Sequence, residues 1–459
     1  MDKKVDVVII GAGSAGLSAF KEANKYTKNI LVIDKGPLGS TCARVGCMPS
    51  KTLIQVANYF HDRQNFARQG IRGAEKLTVS MPDVLSYVRT LRDKFTEGVI
   101  AFTKSLGDQF LCGEARFINP DTLQVGRLKI SSKATIIATG SQSFIPDEWL
   151  EFKDRILTSE SIFEQNDLAS DIAVIGAGSI GLEFGQALAR LGVNISAYHN
   201  GQFIGGLSDP KVNEVAIKIF NDEFPLYLKK EVSLTEKFPA AQVIASIGRK
   251  PNIDSLGLKA LGIPFDSTGI PVFDKTTMQI QGFPIYIAGD VNKIRPLLHE
   301  AADEGRIAGY NATNKSQGFQ RRTPVRIIFT EPNIAVVGSA FHALEENTYV
   351  TGEVDFSDQG RAKIKHHNKG LLRVYGSKKS GELLGAELIA PGGEHLAHLL
   401  AWAIQQKLTA FDVLQMPFYH PVIEEGLRTA LRQLTNQVEC KLKPFELTMC
   451  DSEAIHCLS

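Results

Sequence analysis

Cys42 and Cys47 are separated by four residues in the stretch Gly39-Ser40-Thr41-Cys42-Ala43-Arg44-Val45-Gly46-Cys47-Met48-Pro49-Ser50-Lys51. On an ideal helix, residues five apart place their Cα atoms about 8–9 Å from each other, given the standard rise and radius. A disulfide asks for roughly 4.4–6.8 Å. Bridging the pair therefore requires a bent turn, for which Gly46 supplies the backbone freedom. Pro49 then falls near the first turn of the following helix, where its missing N–H costs least. A bent, local bridge that recloses easily suits electron traffic better than stability. On spacing alone, two buried small hydrophobes or half of a metal site are equally open. Zinc takes four ligands, and no second cysteine pair or histidine pair of suitable spacing lies close by, so no metal centre is expected.

A second candidate is Phe418-Tyr419-His420-Pro421-Val422-Ile423-Glu424-Glu425. A histidine held by a downstream carboxylate has its tautomer fixed and its basicity raised. The alternative is a surface histidine before a proline-initiated helix. The tail adds Cys440, Cys450, His456 and Cys457, thiols that could relay electrons, bind a soft metal or be incidental. Cys112, among apolar neighbours, reads as a core residue.

The elements that must hold these groups are announced by two glycine fingerprints. Residues 5–10 form a buried-strand run, followed by Gly11-Ala12-Gly13-Ser14-Ala15-Gly16, a helical stretch, and a second strand ending at Asp34, 23 residues after Gly11. In such a unit the first glycine makes the tight turn and the second admits a pyrophosphate. The third lets helix and strand pack closely, and the acid bonds a ribose hydroxyl. A near copy follows at 171–184, with Gly176, Gly178 and Gly181; two units mean two dinucleotides. Here the count of 23 lands on His199, and Tyr198-His199-Asn200 offers neither an acid nor an arginine.

Between and after the fingerprints lie a long amphipathic helix over 81–106, with Val84, Val88, Leu91 and Phe95 at helical spacing, and an apolar strand running into Ala138-Thr139-Gly140-Ser141. Gly248-Arg249-Lys250-Pro251-Asn252 and a strand ending in Ala288-Gly289-Asp290 come next, then a helix after Pro296 that begins Leu297-Leu298-His299. From about residue 322 strands (326–329, 334–337, 370–375) mix with helices (394–406, 422–434) and no fingerprint appears. The expected fold is α/β: two Rossmann-like dinucleotide-binding domains plus a C-terminal α+β domain. The expected division is 1–150 and 271–321 for the first nucleotide, 151–270 for the second, and 322–459 for the last module.

At 459 residues the chain is too long for one core. A net charge of +1 without a basic run argues against nucleic acid as partner. No apolar run approaches the roughly 18–20 residues needed to cross a bilayer. The opening Met-Asp-Lys-Lys passes straight into a strand rather than a cleavable signal, which points to the cytoplasm, and in that reducing compartment a close cysteine pair reads as catalytic.

Taken together, the motifs resemble the flavin-dependent pyridine nucleotide–disulfide oxidoreductases, most closely their dihydrolipoamide dehydrogenase branch, in order over nearly the whole length to about residue 434. The resemblance implies FAD on the first fingerprint and NAD or NADP on the second. It implies Cys42 as the interchange thiol, Cys47 as the thiol beside the flavin, and Lys51 with Glu183 as the ion pair near flavin N5. FAD would be lined by Gly11, Gly13, Gly16, Asp34, Lys35, Thr41, Ala115, Thr139, Gly140, Arg249, Gly289, Asp290 and Leu297. The nicotinamide dinucleotide would be held by Gly176, Gly178, Gly181 and the region of His199. The family is a homodimer whose C-terminal module supplies His420 and Glu425 to the partner's dithiol; a neighbouring imidazolium favours the thiolate. The expected reaction passes electrons between a dithiol substrate such as dihydrolipoamide, the cysteine pair, FAD and NAD(P)H. Alternatives are a metal-thiolate or disulfide reductase of the same family, and a flavoprotein with impaired nicotinamide binding. The last draws on two departures: the missing acid at His199, and a stretch, 209–237, short by roughly twenty residues of the usual β-meander.

Overall fold

The structure, a computed structural model, describes residues 2–235, 238–439 and 445–447; Cys440, Cys450, His456 and Cys457 lie outside the described residues. The chain runs β1 (Asp2–Ile10), α1 (Ser14–Ala23), β2 (Ile30–Asp34), α2 (Thr41–Arg44), α3 (Cys47–Phe66) and α4 (Met81–Ser105). Strands β3 (Phe110–Cys112), β4 (Ala115–Asn119), β5 (Thr122–Val125), β6 (Leu128–Ile137), β7 (Ser141–Ser143) and β8 (Ile156–Leu157) follow. Next come β9 (Asp171–Ile175), α5 (Ser179–Arg190), β10 (Asn194–Tyr198), α6 (Pro210–Asn221), β11 (Leu226–Tyr227), β12 (Gln242–Ala245), β13 (Arg249–Pro251), β14 (Ile285–Ile287) and α7 (Leu298–Asn311). The last stretch holds β15 (Val325–Ile328), β16 (Asn333–Gly338), β17 (Tyr349–Asp355), α8 (Gly360–Ile364), β18 (Leu371–Ser377), β19 (Leu383–Ala390), α9 (Gly393–Gln405), α10 (Ala410–Leu414) and α11 (Glu425–Thr435). These elements divide into two compact units, 1–53 with 80–168 and 245–321, and 54–79 with 169–244 and 322–459.

The first unit is built on a sheet in the order β3-β2-β1-β6-β5-β4. β6 is long enough to take β5 antiparallel on its first half and β14 parallel on its second. Val7, Val8 and Ile9 are buried on both faces of the sheet, which is why β1 reads as a continuous apolar run. On one face α1 and α7 pack backbone to backbone. A Cβ on Gly305 would lie 2.2 Å from Ala15 O, and one on Gly309 would lie 2.5 Å from Ala19 O.

Two expectations fail here. The buried face of α4 is Leu85, Val88, Arg92, Thr96 and Thr103 rather than the stripe of Val84, Val88, Leu91 and Phe95; Phe95 is exposed. Polar groups go inside because they have partners: Arg92 pairs with Glu164, Thr96 Oγ1 donates to Asp93 O at 2.8 Å, and Thr103 Oγ1 to Val99 O at 2.9 Å. Cys112 is exposed, not core, because β3 is the edge strand and Cys112 is its last residue.

The second unit joins a nucleotide fold, with strands in the order β11-β10-β9-β12, to an antiparallel sheet β15-β16-β19-β18-β17. Between β11 and β12 no strand or helix appears among the described residues. The antiparallel sheet buries Leu372, Val374, Ala386 and Leu388 in one core with Leu396, Leu400, Leu427 and Leu431 of the helices. Gly352 of β17 admits α11: a Cβ there would lie 1.9 Å from Ala430 O. No helix among the described residues is long and apolar enough to cross a membrane.

Candidate active site

The dithiol turn is a broken helix. Ser40 Oγ accepts from Ala43 N at 3.3 Å, and Val45 N donates to Thr41 O at 3.0 Å as α2 ends. The chain then restarts, Ser50 N donating to Gly46 O at 3.2 Å in the first turn of α3. At the break Gly46 packs on the preceding backbone. A Cβ there would lie 3.1 Å from Thr41 O and 3.2 Å from Cys42 Cα. The two cysteines are in the thiol form, Cys42 half-buried and Cys47 exposed. The Cys42 thiol is pushed well above its ordinary value, first by its hydrogen bond with Cys47, then by burial and by the Cys47 charge, while the Lys51 charge acts in the other direction. Cys47 opens α3, where the partly positive helix end favours an anionic sulfur. Lys51 Nζ donates to Ser50 Oγ at 3.4 Å, and Ser50 Oγ to Cys47 O at 3.2 Å.

In the same unit the first fingerprint forms a cradle. Gly11, at φ +109°, would put a Cβ 2.3 Å from Ala138 O, and Gly16 would put one 1.8 Å from Gly11 O. Gly13 has nothing within 4 Å and caps α1 with no side-chain hydrogen bond, so the helix's first N–H groups face open space. Asp34 holds the turn, its Oδ2 accepting from Ala12 N and its Oδ1 from Gly36 N, both at 2.6 Å. Gly140 (φ +66°) is open too, in a turn locked by Asn252: Thr139 Oγ1 donates to Asn252 O at 2.7 Å and Asn252 Nδ2 to Thr139 O at 3.0 Å.

The Gly289–Asp290 loop rests on a residue that sequence reasoning missed. Glu304, fully buried on α7, accepts from Gly289 N at 2.6 Å and Asn292 Nδ2 at 2.7 Å and pairs with Arg321 at 2.8 Å. Burial pushes its carboxyl up, against the pull of Gly289 N–H, Arg321 and Asn292. Its signal was an acid, like Glu300 one turn earlier, on the face that carries the small residues Ala301, Gly305 and Ala308. Arg249 donates to Ser141 Oγ and to Ser141 O at 2.8 Å each and to Glu160 at 2.9 Å, and it reaches Asp290 through Ser141 Oγ, 3.2 Å from Asp290 Oδ2. Lys35 pairs with Glu114 at 3.2 Å, Ala115 is buried in β4, Thr41 is exposed at the start of α2, and Leu297 caps α7.

The second unit holds the second cradle. Gly176 (φ +103°) donates to Tyr198 O at 2.8 Å, and Gly178 caps α5 with no side-chain bond and nothing within 4 Å. Gly181 and Glu183 are buried in α5, and Glu183 Oε1 accepts from Phe329 N at 2.9 Å. His199 Nδ1 accepts from Ala177 N at 3.4 Å. The segment after β10 is anchored on buried Glu387, which accepts from Ser208 N at 2.7 Å and Asp209 N at 2.8 Å. Buried Asp209 caps α6 and takes Tyr375 OH at 2.8 Å together with Arg373.

His420 and Glu425 do meet. His420 Nδ1 lies 3.1 and 3.0 Å from the two carboxylate oxygens, and its side chain is 81% exposed. The hydrogen bond from His420 holds the Glu425 carboxyl below its usual range. Glu425 thus fixes the orientation of an imidazole whose side chain stays open to solvent.

Both fingerprint helices open on a glycine with no side-chain cap and free space above it, which is what a dinucleotide pyrophosphate needs; the residues fit two such groups. Among the described residues no cluster of His, Cys, Asp and Glu could hold a metal ion. Comparison with known proteins gives the same frame. The family model described as pyridine nucleotide-disulphide oxidoreductase matches residues 5–305, and its dimerisation-domain model matches 325–431. The chain is 29% identical over 450 residues to a dihydrolipoyl dehydrogenase of Bacillus subtilis (92% of this chain, 94% of that one). It is 28% identical over 458 residues to a mercuric reductase of Staphylococcus aureus (94% and 82%). Among solved structures, the Cu(II) complex of the HOCl-induced flavoprotein disulfide reductase RclA from Escherichia coli superposes with a TM-score of 0.82 at 20% identity, covering 94% of this chain and 99% of that one.

Proposed function

Because the chain belongs to the pyridine nucleotide–disulphide oxidoreductase family, we propose that it oxidises a dithiol of the dihydrolipoamide type, passing electrons through Cys42–Cys47 and FAD to NAD(P)+. The observation that supports this most is the break at Gly46, which folds the Cys47 turn back onto Cys42. In the proposed cycle a substrate thiolate attacks Cys42 Sγ of the oxidised pair, the Cys42–Cys47 bond breaks, and Cys47 leaves as a thiolate. The second substrate thiol then attacks the mixed disulfide, the substrate leaves as its own disulfide, and both cysteines are reduced. His420, oriented by Glu425, takes the proton released by the substrate. In the homodimer that the dimerisation domain suggests, it does so for the partner's dithiol.

Bound FAD would supply the two-electron relay between the reduced pair and the nicotinamide. Gly11, Gly13, Gly16, Asp34, Gly140 and the Gly289–Asp290 loop would hold it; Lys51 and Glu183 take the family's ion-pair role. We assign residues 1–150 and 271–321 to the FAD part, 151–270 to the nicotinamide part and 322–459 to the interface part.

A second reading, a metal-thiolate reductase, draws on the mercuric reductase relative, which is as similar as the dehydrogenases. Anaerobic assays of the FAD-loaded full chain with NADH or NADPH separate the two. Turnover with lipoamide supports the first reading and turnover with Hg(II) alone the second. A flavin-loaded protein that reduces neither overturns both.

A further inference from the structure

Asp34 and His199 occupy equivalent places in the two nucleotide folds, each 23 residues after its first glycine. Each accepts the N–H of the residue that follows that glycine: Ala12 N to Asp34 at 2.6 Å, Ala177 N to His199 at 3.4 Å. Their remaining capacity differs. A carboxylate has about four lone-pair sites, so Asp34 can serve Ala12 and Gly36 and still accept from a ribose hydroxyl. An imidazole that is donor at one nitrogen has a single acceptor at the other. His199 spends that acceptor, Nδ1, on Ala177, while Nε2 meets the Phe203 carbonyl at 3.0 Å. One tautomer, with the hydrogen on Nε2, satisfies both contacts. The ring is folded onto Gly201, where a Cβ would lie 2.8 Å from Nε2. Both effects of the usual acid are therefore missing at this position: the His199 ring does not accept from a ribose 2′-hydroxyl and carries no carboxylate to repel a phosphate on that carbon.

The same corner gathers positive charge. β11 ends at Tyr227, whose carbonyl accepts from His199 N at 2.8 Å. The chain then turns so that Lys230 N donates to His199 O at 2.9 Å and Lys229 N to Gly201 O at 3.0 Å. Lys229 takes a positive φ of 53° to do so. Both lysines are exposed, and neither ammonium is paired with a carboxylate among the described residues.

Building on the reading that the second fingerprint holds a nicotinamide dinucleotide, we propose that it selects the 2′-phosphorylated form, NADP(H). Lys229 and Lys230 take the 2′-phosphate, and His199 replaces the acid that would reject it.

Calorimetric titration of the FAD-loaded full chain with NADP+, NAD+, 2′,5′-ADP and 5′-AMP tests this, alongside anaerobic flavin reduction by NADPH and NADH. NADP+ should bind about tenfold or more tighter than NAD+, as one charge-assisted contact gives. 2′,5′-ADP should keep that preference over 5′-AMP, and added salt should narrow it. Replacing both lysines (Lys229→Ala with Lys230→Ala) should weaken NADP+ and leave NAD+ unchanged, and His199→Asp should turn the preference toward NAD+. NAD+ binding as tightly as NADP+, or a lysine variant with unaltered NADP+ affinity, overturns the proposal. If neither dinucleotide binds or reduces the flavin, the reading of the second fingerprint itself falls, and the specificity with it.

Discussion

The Cys42 thiol lies half-buried against the Cys47 sulfur, and the features that shelter it also hold its proton: the hydrogen bond with Cys47 first, then burial, then the Cys47 charge. A thiol raised in the fold stabilises the reduced protein below the ordinary cysteine value of about 8.5, and that contribution is lost as pH climbs beyond it. In Cys47→Ser the dominant upward influence is removed, so alkylation of Cys42 by iodoacetamide should begin at lower pH than in the reduced parent. Adding Lys51→Met should move the onset back up, because the cation opposes the shift. A profile indifferent to both changes would mean that the two sulfurs do not communicate. Glu425 has the opposite sign. Its carboxyl is lowered by the hydrogen bond from His420, so the pair persists as pH falls through the usual carboxylate range of about 4.3.

At the level of elements, the glycines of one fingerprint carry different duties that a pair of variants separates. Gly16→Ala would drive a Cβ to 1.8 Å from Gly11 O, so the strand–helix packing must open. Its expected cost is about 1–3 kcal/mol of unfolding stability, as for other overpacked sites. Gly13→Ala meets nothing within 4 Å, so the melting temperature should stay near the parent's while flavin retention falls. Thermal unfolding of the flavin-free protein together with FAD titration checks both.

Much of this scale was readable from residue spacing. The glycine periods, the acid at Asp34, the broken turn at Gly46 and the pairing of His420 with Glu425 follow from local geometry, which a short window of sequence contains. What escaped was settled by distant partners. Arg92 is inside because Glu164 meets it, Glu304 because the Gly289 loop needs an acceptor, and Cys112 is outside because β3 has only one neighbouring strand. Arg249, expected along the flavin, is held by Ser141 and Glu160, contacts that its motif does not announce.

For the molecule as a whole, the C-terminal module exposes an apolar groove of about 420 Å³ lined in part by Leu399, Trp402, Met416, Phe418, Tyr419 and Val422. Trp402 is 66% and Tyr419 80% exposed, and His420 adjoins them in the chain. The dimerisation-domain match spans this module. If His420 serves a second copy, Trp402→Glu should yield a monomer in sedimentation that keeps its yellow flavin yet loses most dithiol turnover. A monomer with full turnover would show that one chain completes its own site.

The backbone-to-backbone seam of α1 and α7 has a consequence for the order of events at the ribosome. The floor under the first fingerprint is laid by residues 14–23, but its counterpart arrives only with 298–311, and β14 enters the sheet at 285–287. A nascent chain shorter than that has the glycine loop and the Asp34 that holds its turn, but not the helix that packs on α1 behind it. A dinucleotide is thus expected to settle on the first fingerprint only late in synthesis, whereas the second unit's nucleotide fold, complete by residue 245, can form before the chain that ends the first.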